Sequence, residues 1–486
     1  MQTDTNPHHE RRWLILLVLG LAQLMVVLDA TIVNIALPSA QESLGFSDDS
    51  RQWIITAYAL AFGSLLLLGG RIADLFGRKR TLIVGLGGFA IASAIGGAAP
   101  SFGVLVAART LQGVFAALLA PAALSLLTTT FTDETERNKA FGVYGAIAGT
   151  GGGIGLLLGG LLTEYLDWRW TMFVNLLFAI PAMLMALALL HNQRAEKGSR
   201  LDIPGTLTAT GGLFALVYGF SSAEMDGWGA PITVGMFAAA ATLLVAFVLI
   251  ERRVAHPLLP LRVVLDRDRG GSYLAMAIAG IGMFGVFLFL TYYLQTTLGF
   301  TPVETGLGFL PMMAAVMVTA TTATTFLLSR VGARRLVTLG MAIASAAMVF
   351  LTGVGVDTAY ASHVLPALIA MGAGMGLIFA PAMNTATLGV DAQDSGVASA
   401  MVNTAQQVGG SIGTALLSTI AATALASYAG TSQDPAVLAQ AAVHSYTTAF
   451  WWSAGVFAFG AAISFLLLTP GTKKAHERLG EPAMAH

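Results

Sequence analysis

Two charged side chains stand alone inside long apolar runs of this 486-residue sequence. Asp29 lies 16 positions after Trp13, where the first apolar run begins. That spacing is about 24 Å along a helix, and the hydrocarbon core of a bilayer is about 30 Å thick. An acid in the middle-to-outer layer must face protein or water, so we expect Asp29 to bind and release a proton. The alternative is a structural carboxylate that Thr31, Asn34 or a neighbouring helix satisfies permanently.

Arg109 is the corresponding cation. It lies about 10 Å below the outer end of the fourth apolar run, which is close to the level of Asp29 if the two helices adjoin. A cation beside the acid would favour its charged form, and separation of the two would favour protonation. We therefore predict that Asp29 and Arg109 couple proton binding to conformation, with Gln112 as a polar partner one turn along. A static buried pair is the alternative.

A short charged segment, GRIADLFGRKR at 70–80, lies between two apolar runs. Lys and Arg are costly at bilayer depth, so this segment belongs at a membrane face. Orientation needs only the cations, whereas a carboxylate among them suits a latch that forms in one conformation and opens in another. The residues predicted to form this gate are Gly70, Asp74, Gly77, Arg78, Lys79 and Arg80. A simple anchor that sets topology is the alternative.

Two further groups are candidates for the transport path. Gly151, Gly155 and Gly159 share one stripe of the fifth span, with Gly160 beside it, and permit close helix approach. We predict a seam between two moving halves there, with ordinary helix packing as the alternative. The polar residues predicted to contact a substrate are Asn34, Gln112, Asn403, Gln406 and Gln407. Side-chain amides also join membrane helices by hydrogen bonds, which is their alternative role.

Composition sets the class of protein. Of all residues, 56% are hydrophobic and 10% are charged, against about 25% charged in soluble domains. Fourteen apolar runs of helical length predict an all-α polytopic membrane protein. The absence of cysteine excludes disulfides and thiolate metal sites. No nucleotide-binding motif or basic nucleic-acid-binding domain is evident, so we expect no cofactor, no metal and no nucleic-acid partner.

The basic residues predict the orientation. With both ends in the cytoplasm, 22 of the 25 Lys and Arg residues fall on the cytoplasmic side. This bias predicts a multi-pass protein of the cell membrane whose N- and C-termini are cytoplasmic.

An internal repeat divides the chain. The segment around Pro121 recurs around Pro381, and Gly155 recurs as Gly413, at offsets of 260 and 258 residues. Duplicated halves are typical of secondary transporters. The repeat predicts a six-helix bundle over 1–190, a linker with two extra helices over 191–269, and a second six-helix bundle with a tail over 270–486.

Four motifs then point to a family. The loop motif at 70–80 is accompanied by LDATIVNIALP at 28–38 in the first span and RTLQG at 109–113 in the fourth. The fifth-span antiporter motif at 151–160 is met in part, because Leu156 stands where that motif has proline. With its six-plus-two-plus-six arrangement, the chain resembles the fourteen-helix drug:proton antiporter branch of the major facilitator superfamily.

The resemblance implies alternating access around a central cavity and a proton-coupled multidrug exporter of amphipathic, often cationic compounds. We expect the protein to act as a monomer in the lipid bilayer. A dedicated exporter of an endogenous metabolite or antibiotic, or a uniporter, remains an alternative in view of Leu156. A membrane-embedded enzyme is disfavoured because no catalytic constellation occurs within the spans.

Overall fold

The computed structural model of the chain describes residues 11–46, 48–191 and 201–471, and the regular secondary structure within these ranges is helical. The helices are α1 (Arg12–Leu44), α2 (Asp48–Phe76), α3 (Arg78–Gly97), α4 (Phe102–Thr130), α5 (Glu134–Tyr165), α6 (Trp170–Leu189), α7 (Ile203–Met225), α8 (Pro231–Glu251), α9 (Leu261–Leu265), α10 (Arg267–Tyr292), α11 (Pro302–Thr322), α12 (Leu328–Val331), α13 (Ala333–Leu351), α14 (Leu365–Thr387), α15 (Ser395–Ala429) and α16 (Pro435–Leu467). Short π-helical turns extend α10 and α11 and precede α14.

In the described part of the chain, 14 helical segments are long and apolar enough to cross a membrane. This agrees with the number of spans predicted from the sequence. The short helices α9 and α12 are not separate spans: α9 lies in the linker before α10, and α12 continues α11.

Polar caps determine where several helices begin. Asp133 accepts a hydrogen bond from the backbone N–H of Glu136 at the start of α5. Thr301 and Glu304 form a capping box at the start of α11. Such caps satisfy N–H groups that have no partner within the helix. The caps therefore concentrate polar side chains at the ends of the apolar spans.

The helices form two bundles with an added pair. Helices α1 to α6 pack on one another, and α10, α11 and α13 to α16 do the same. The bundles meet where α5 contacts α11 and α14, and where α15 contacts α2 and α4. Helices α7 and α8 form a hairpin, and α7 lies against both α2 and α15. The predicted fold class is thus confirmed, whereas the domain boundaries at 190 and 269 stay a prediction.

Arg12 at the start of α1 and Thr469 just beyond α16 lie at one face of the molecule, called here the terminal face. Arg12 at the start of α1 pairs with Glu136 at the start of α5. A cavity of about 80 Å³ nearby is lined by Arg137 and Asn384, and also by Thr469 just beyond α16. Because these segments share one cavity, the terminal face brings the two bundles together.

Candidate functional site

A fully buried carboxylate lies at the centre of the first bundle. Asp29 on α1 is 0% exposed. Its Oδ2 accepts a hydrogen bond from Arg109 Nη1 at 2.6 Å, within an ion pair. Its Oδ1 accepts from Asn175 Nδ2 at 2.6 Å and from Gln112 Nε2 at 3.0 Å. Burying a charge is costly unless it is paired and hydrogen-bonded, and this set of donors meets both conditions.

The cation is held as firmly as the acid. Arg109 on α4 is 1% exposed, and its Nε donates to the carbonyl oxygen of Ile54 at 3.3 Å. Its guanidinium lies 4.4 Å from the ring centre of Tyr58, a cation–π contact. Gln112 links the groups, because its Oε1 accepts from Arg109 at 2.8 Å and its Nε2 donates to Ser93 Oγ at 2.8 Å. Helices α1, α2, α3, α4 and α6 all contribute to this network, called here the Asp29 cluster.

The structure brings together Asp29, Arg109 and Gln112, as the sequence suggested. Gln112 is 0% exposed and contacts the acid, so in this conformation it positions the carboxylate and is not available to a substrate. The sequence reasoning missed Asn175 and Ser93. Asn175 carried a usable signal, because it is the only side-chain amide in the apolar helix α6.

The remaining candidates for substrate contact lie apart from the Asp29 cluster. Asn403 is buried in α15, and its Nδ2 donates to the carbonyl oxygen of Ser399 in the same helix. Gln407 is partly buried, and its Cγ lies 2.9 Å from where a Cβ on Gly63 of α2 would stand. Gln406 is also partly buried. The side chain of Asn34 lies outside the described part of the chain.

The predicted gate holds the two bundles together at the terminal face. Asp74 Oδ1 and Oδ2 on α2 accept hydrogen bonds from the backbone N–H groups of Gly396 and Val397, at 3.0 and 3.2 Å. These are N–H groups of the first turn of α15, which lack partners within their own helix and favour an anion. Arg78 Nη2 lies 3.4 Å from Asp74 Oδ1. The carboxylate of one bundle thus caps a helix of the other.

The other residues of the charged segment have separate places. Gly77 has a φ of 96°, a left-handed conformation that favours glycine in the turn between α2 and α3. Lys79 Nζ donates to the carbonyl oxygens of Leu187 and Leu190, at 3.0 and 2.6 Å, near the end of α6. Arg80 is exposed. Among these charged residues, Asp74 contacts the second bundle and Arg78 lies beside Asp74. Lys79 binds within the first bundle.

Further polar contacts close the same face. Arg137 on α5 donates from Nε to Asn384 Oδ1 and from Nη2 to Thr387 Oγ1, each at 2.9 Å, on α14 of the second bundle. Asn384 Nδ2 donates to Asn138 Oδ1 at 2.6 Å. Arg137 also lies 4.6 Å from the ring centre of Phe141. Together with the Asp74 latch, these bonds join the bundles at both sides of the terminal face.

The linker to the second bundle reaches the start of α15 as well. Arg262 of α9 pairs with Asp394, and its Nη2 lies 3.6 Å from Asp391 Oδ2. Burial raises the pKa of Asp394 above its usual value, although the Arg262 cation acts in the opposite direction. The linker is thus tied to the same helix end that Asp74 caps.

The glycine stripe has a different neighbour from the one predicted. A Cβ added at Gly155 would lie 2.1 Å from Thr31 Oγ1, and those at Gly151 and Gly159 would also meet atoms of α1. Gly160 is buried. In this conformation the stripe permits close packing of α1 and α5 inside the first bundle and does not face the second. Ordinary packing, the alternative weighed from the sequence, describes these contacts.

A second set of glycines on α5 lies at the junction between the bundles. Gly142, Gly145, Gly149 and Gly153 lie against α11, its π-helical extension and α14. A Cβ at Gly153 would stand 1.6 Å from Cε of Met313. Because glycines occur on both faces of α5, their spacing alone did not distinguish the face that meets the second bundle from the face packed within the first.

A family model described as the Major Facilitator Superfamily matches residues 19–414. The chain belongs to this superfamily. Its relatives are transporters, so the expectation that this major facilitator protein is not an enzyme is confirmed.

Two relatives and one solved structure support the assignment. The chain is 52% identical over 470 residues to the puromycin resistance protein pur8 of Streptomyces alboniger, covering 96% of this chain and 93% of that protein. It is 38% identical over 452 residues to the cephamycin export protein CmcT of Amycolatopsis lactamdurans, covering 92% and 90%. The human organic anion transporter MFSD10 has the same fold, with a TM-score of 0.63 at 16% identity, covering 93% of this chain and 99% of that one.

Closure of the terminal face in this major facilitator protein can be tested by cross-linking. Ser125 Oγ on α4 and Ser395 Oγ on α15 lie 2.7 Å apart and are buried. The chain has no cysteine, so the double variant Ser125→Cys/Ser395→Cys has no competing thiols. Oxidation should form an α4–α15 disulfide and stop transport, and dithiothreitol should restore it.

The two single cysteine variants are the controls and should transport under both conditions. Full transport by the oxidised, cross-linked protein would contradict the view that these helix ends separate during the cycle.

Proposed function

We propose that this major facilitator protein exports amphipathic, often cationic small molecules across the cell membrane in exchange for protons. The observation that carries the proposal is the fully buried Asp29, held by the cation of Arg109 and by two side-chain amides. A membrane-buried acid is a proton site when a conformational change can move its counter-ion. The names of the relatives, which refer to puromycin resistance and cephamycin export, support antibiotic-like substrates.

The contacts suggest how coupling would work. With both chain ends in the cytoplasm, as the charge bias predicts, the closed terminal face is the cytoplasmic one, and Asp29 is paired with Arg109. A proton arriving from outside would neutralise Asp29 and release Arg109, which belongs to the same helix as Ser125 at the closed face. Opening of that face would then exchange the proton for cytoplasmic substrate. The polar residues proposed to contact the substrate along this path are Asn34, Asn403, Gln406 and Gln407.

A second candidate function is export of one particular antibiotic or metabolite. It is favoured by the names of the two relatives described above, which refer to puromycin and to cephamycin. Leu156, in place of the motif proline, also leaves uniport open, since α5 runs without interruption from Glu134 to Tyr165. Multidrug and dedicated export differ in substrate range, and antiport and uniport differ in proton movement.

The decisive experiment uses the purified protein in vesicles that contain a pH-sensitive dye. Addition of puromycin should produce a proton flux opposite to puromycin transport, and a protonophore should abolish accumulation. Puromycin transport without a proton flux would indicate uniport. Transport of puromycin with no response to other cationic amphipathic compounds would indicate a dedicated exporter.

Two further parts of the proposal are the orientation and the assembly. We propose cytoplasmic termini and a monomer, because one chain contains both bundles and every part of the Asp29 cluster. In this orientation, single cysteines introduced at Arg80 and Glu304 would lie on the cytoplasmic and the external side, respectively. Labelling these cysteines in intact and in opened cells tests the orientation.

A further inference from the structure

Two acids at the base of the inserted hairpin are buried outside the Asp29 cluster. Asp202 is the N-cap of α7 and is 7% exposed, and Glu251 is the last residue of α8 and is 5% exposed. Neither carboxyl forms a hydrogen bond or ion pair with a basic side chain within the described residues. Arg252, Arg253 and His256, the next basic residues along the chain, are exposed.

The hydrogen bonds around the pair leave one oxygen without a donor. Glu251 Oε1 and Oε2 accept from the backbone N–H groups of Leu258 and Leu259, at 3.2 and 3.1 Å. Asp202 Oδ1 accepts from the N–H of Gly205 at 3.0 Å. Asp202 Oδ2 is buried and receives no hydrogen bond from a donor in the described chain.

Asp202 Oδ2 lies beside the carboxyl group of Glu251. A Cβ placed on Gly205 would lie 2.1 Å from Asp202 Oδ2 and 2.6 Å from Glu251 Oε1, so both oxygens border the same small space. The two oxygens are therefore no more than about 4.7 Å apart, the sum of these two distances. Two adjacent buried carboxylates repel each other unless one of them carries a proton.

We propose that Asp202 and Glu251 form a second proton-binding site, in which the two carboxyl groups share one proton in a hydrogen bond between Asp202 Oδ2 and Glu251 Oε1. The shared proton supplies the hydrogen bond that Asp202 Oδ2 lacks when both acids are charged. This site is independent of the proposed antiport and takes a proton as its ligand.

The position of the site suggests what the proton controls. Glu251 orders the backbone of Leu258 and Leu259, which pack in a cluster with Leu67 of α2 and Val397 of α15. That cluster joins the two bundles beside the Asp74 latch, since Val397 also donates to Asp74. Loss of the proton would place two charges at the base of the hairpin and loosen the linker that supports this junction.

Infrared spectroscopy of the purified, full-length protein tests the proposal. At neutral pH the parent should show the carbonyl band of a protonated acid that Asp202→Asn removes. Glu251→Gln should remove the same band, because the proton is shared by the two carboxyl groups. Asp226→Asn, an exposed acid at the other end of α7, is the matched control and should leave the band unchanged.

Thermal unfolding gives a second measurement, in which Asp202→Asn and Glu251→Gln should behave differently. Asparagine at 202 can accept from Gly205 and donate to Glu251, so Asp202→Asn should unfold near the parental temperature. The unfolding temperature of the parent should fall as pH rises and the shared proton leaves. That of Asp202→Asn should not show this fall. Glu251→Gln would set an N–H₂ group against a backbone N–H, so it should unfold several degrees lower.

Three outcomes would overturn the proposal. The first is a spectrum of Asp202→Asn identical to that of the parent. The second is a band that Glu251→Gln leaves unchanged, which would remove Glu251 from the site. The third is a band present in choline chloride and absent in sodium chloride, which would assign the site to a sodium ion.

Discussion

Asp29→Asn is expected to abolish proton-coupled transport while the protein remains folded and inserted. Asparagine has the size of aspartate and can accept a hydrogen bond from Arg109. However, its side-chain amide does not bind a proton at physiological pH and carries no charge to balance the buried cation. Breaking a buried ion pair by removing one partner costs about 3–5 kcal/mol. We therefore expect both a lower unfolding temperature and a complete loss of substrate-driven proton flux in vesicles.

A double variant separates the two effects. Asp29→Asn/Arg109→Gln removes the acid and the cation together, so no unpaired charge remains in the first bundle. Its stability should recover toward that of the parent, but its proton flux should stay absent. If Asp29→Asn alone transports substrate against a gradient with normal proton flux, Asp29 has no part in coupling.

The sequence predicted the acid and its cation for a simple physical reason. An isolated charge in an apolar span is costly, so each such residue needs a partner, and Asp29 and Arg109 were the clearest candidates. Asn175 and Ser93 were missed because neutral polar side chains are common in membrane helices and need no special partner. The number of spans was equally accessible, because hydrophobic length alone determines it.

The contacts between helices were harder to predict from the sequence. Spacing showed that Gly151, Gly155 and Gly159 share a face of α5, but not that α1 covers it. Asp74 was predicted to form a latch, and its partners are backbone N–H groups of Gly396 and Val397, which carry no sequence signature. Which surfaces meet depends on how whole bundles pack, and that information is not local.

Gly70→Ala is expected to hold the terminal face open without destabilising either bundle. A Cβ on Gly70 would lie 2.6 Å from the carbonyl oxygen of Gly396 and 2.7 Å from Cβ of Ala400, both on α15 of the other bundle. Overpacking of this kind costs about 1–3 kcal/mol. Because the bundles can relieve it by separating, the ratio of closed to open protein should fall by about 5- to 150-fold. Transport should fall with it, since the cycle requires closure.

Gly69→Ala is the matched control, because it adds the same methyl group one position earlier. Its Cβ would lie 1.9 Å from the carbonyl oxygen of Ala117 on α4, within the first bundle, where separation of the bundles brings no relief. It should therefore lower the unfolding temperature. In the Ser125→Cys/Ser395→Cys background, Gly70→Ala should sharply reduce disulfide formation, whereas folded Gly69→Ala protein should cross-link as before. Equal cross-linking in the two variants would mean that the approach of Gly70 to Gly396 does not limit closure. The clash would then be absorbed within α2, and the junction at Arg137 and Asn384 would have to govern closure instead.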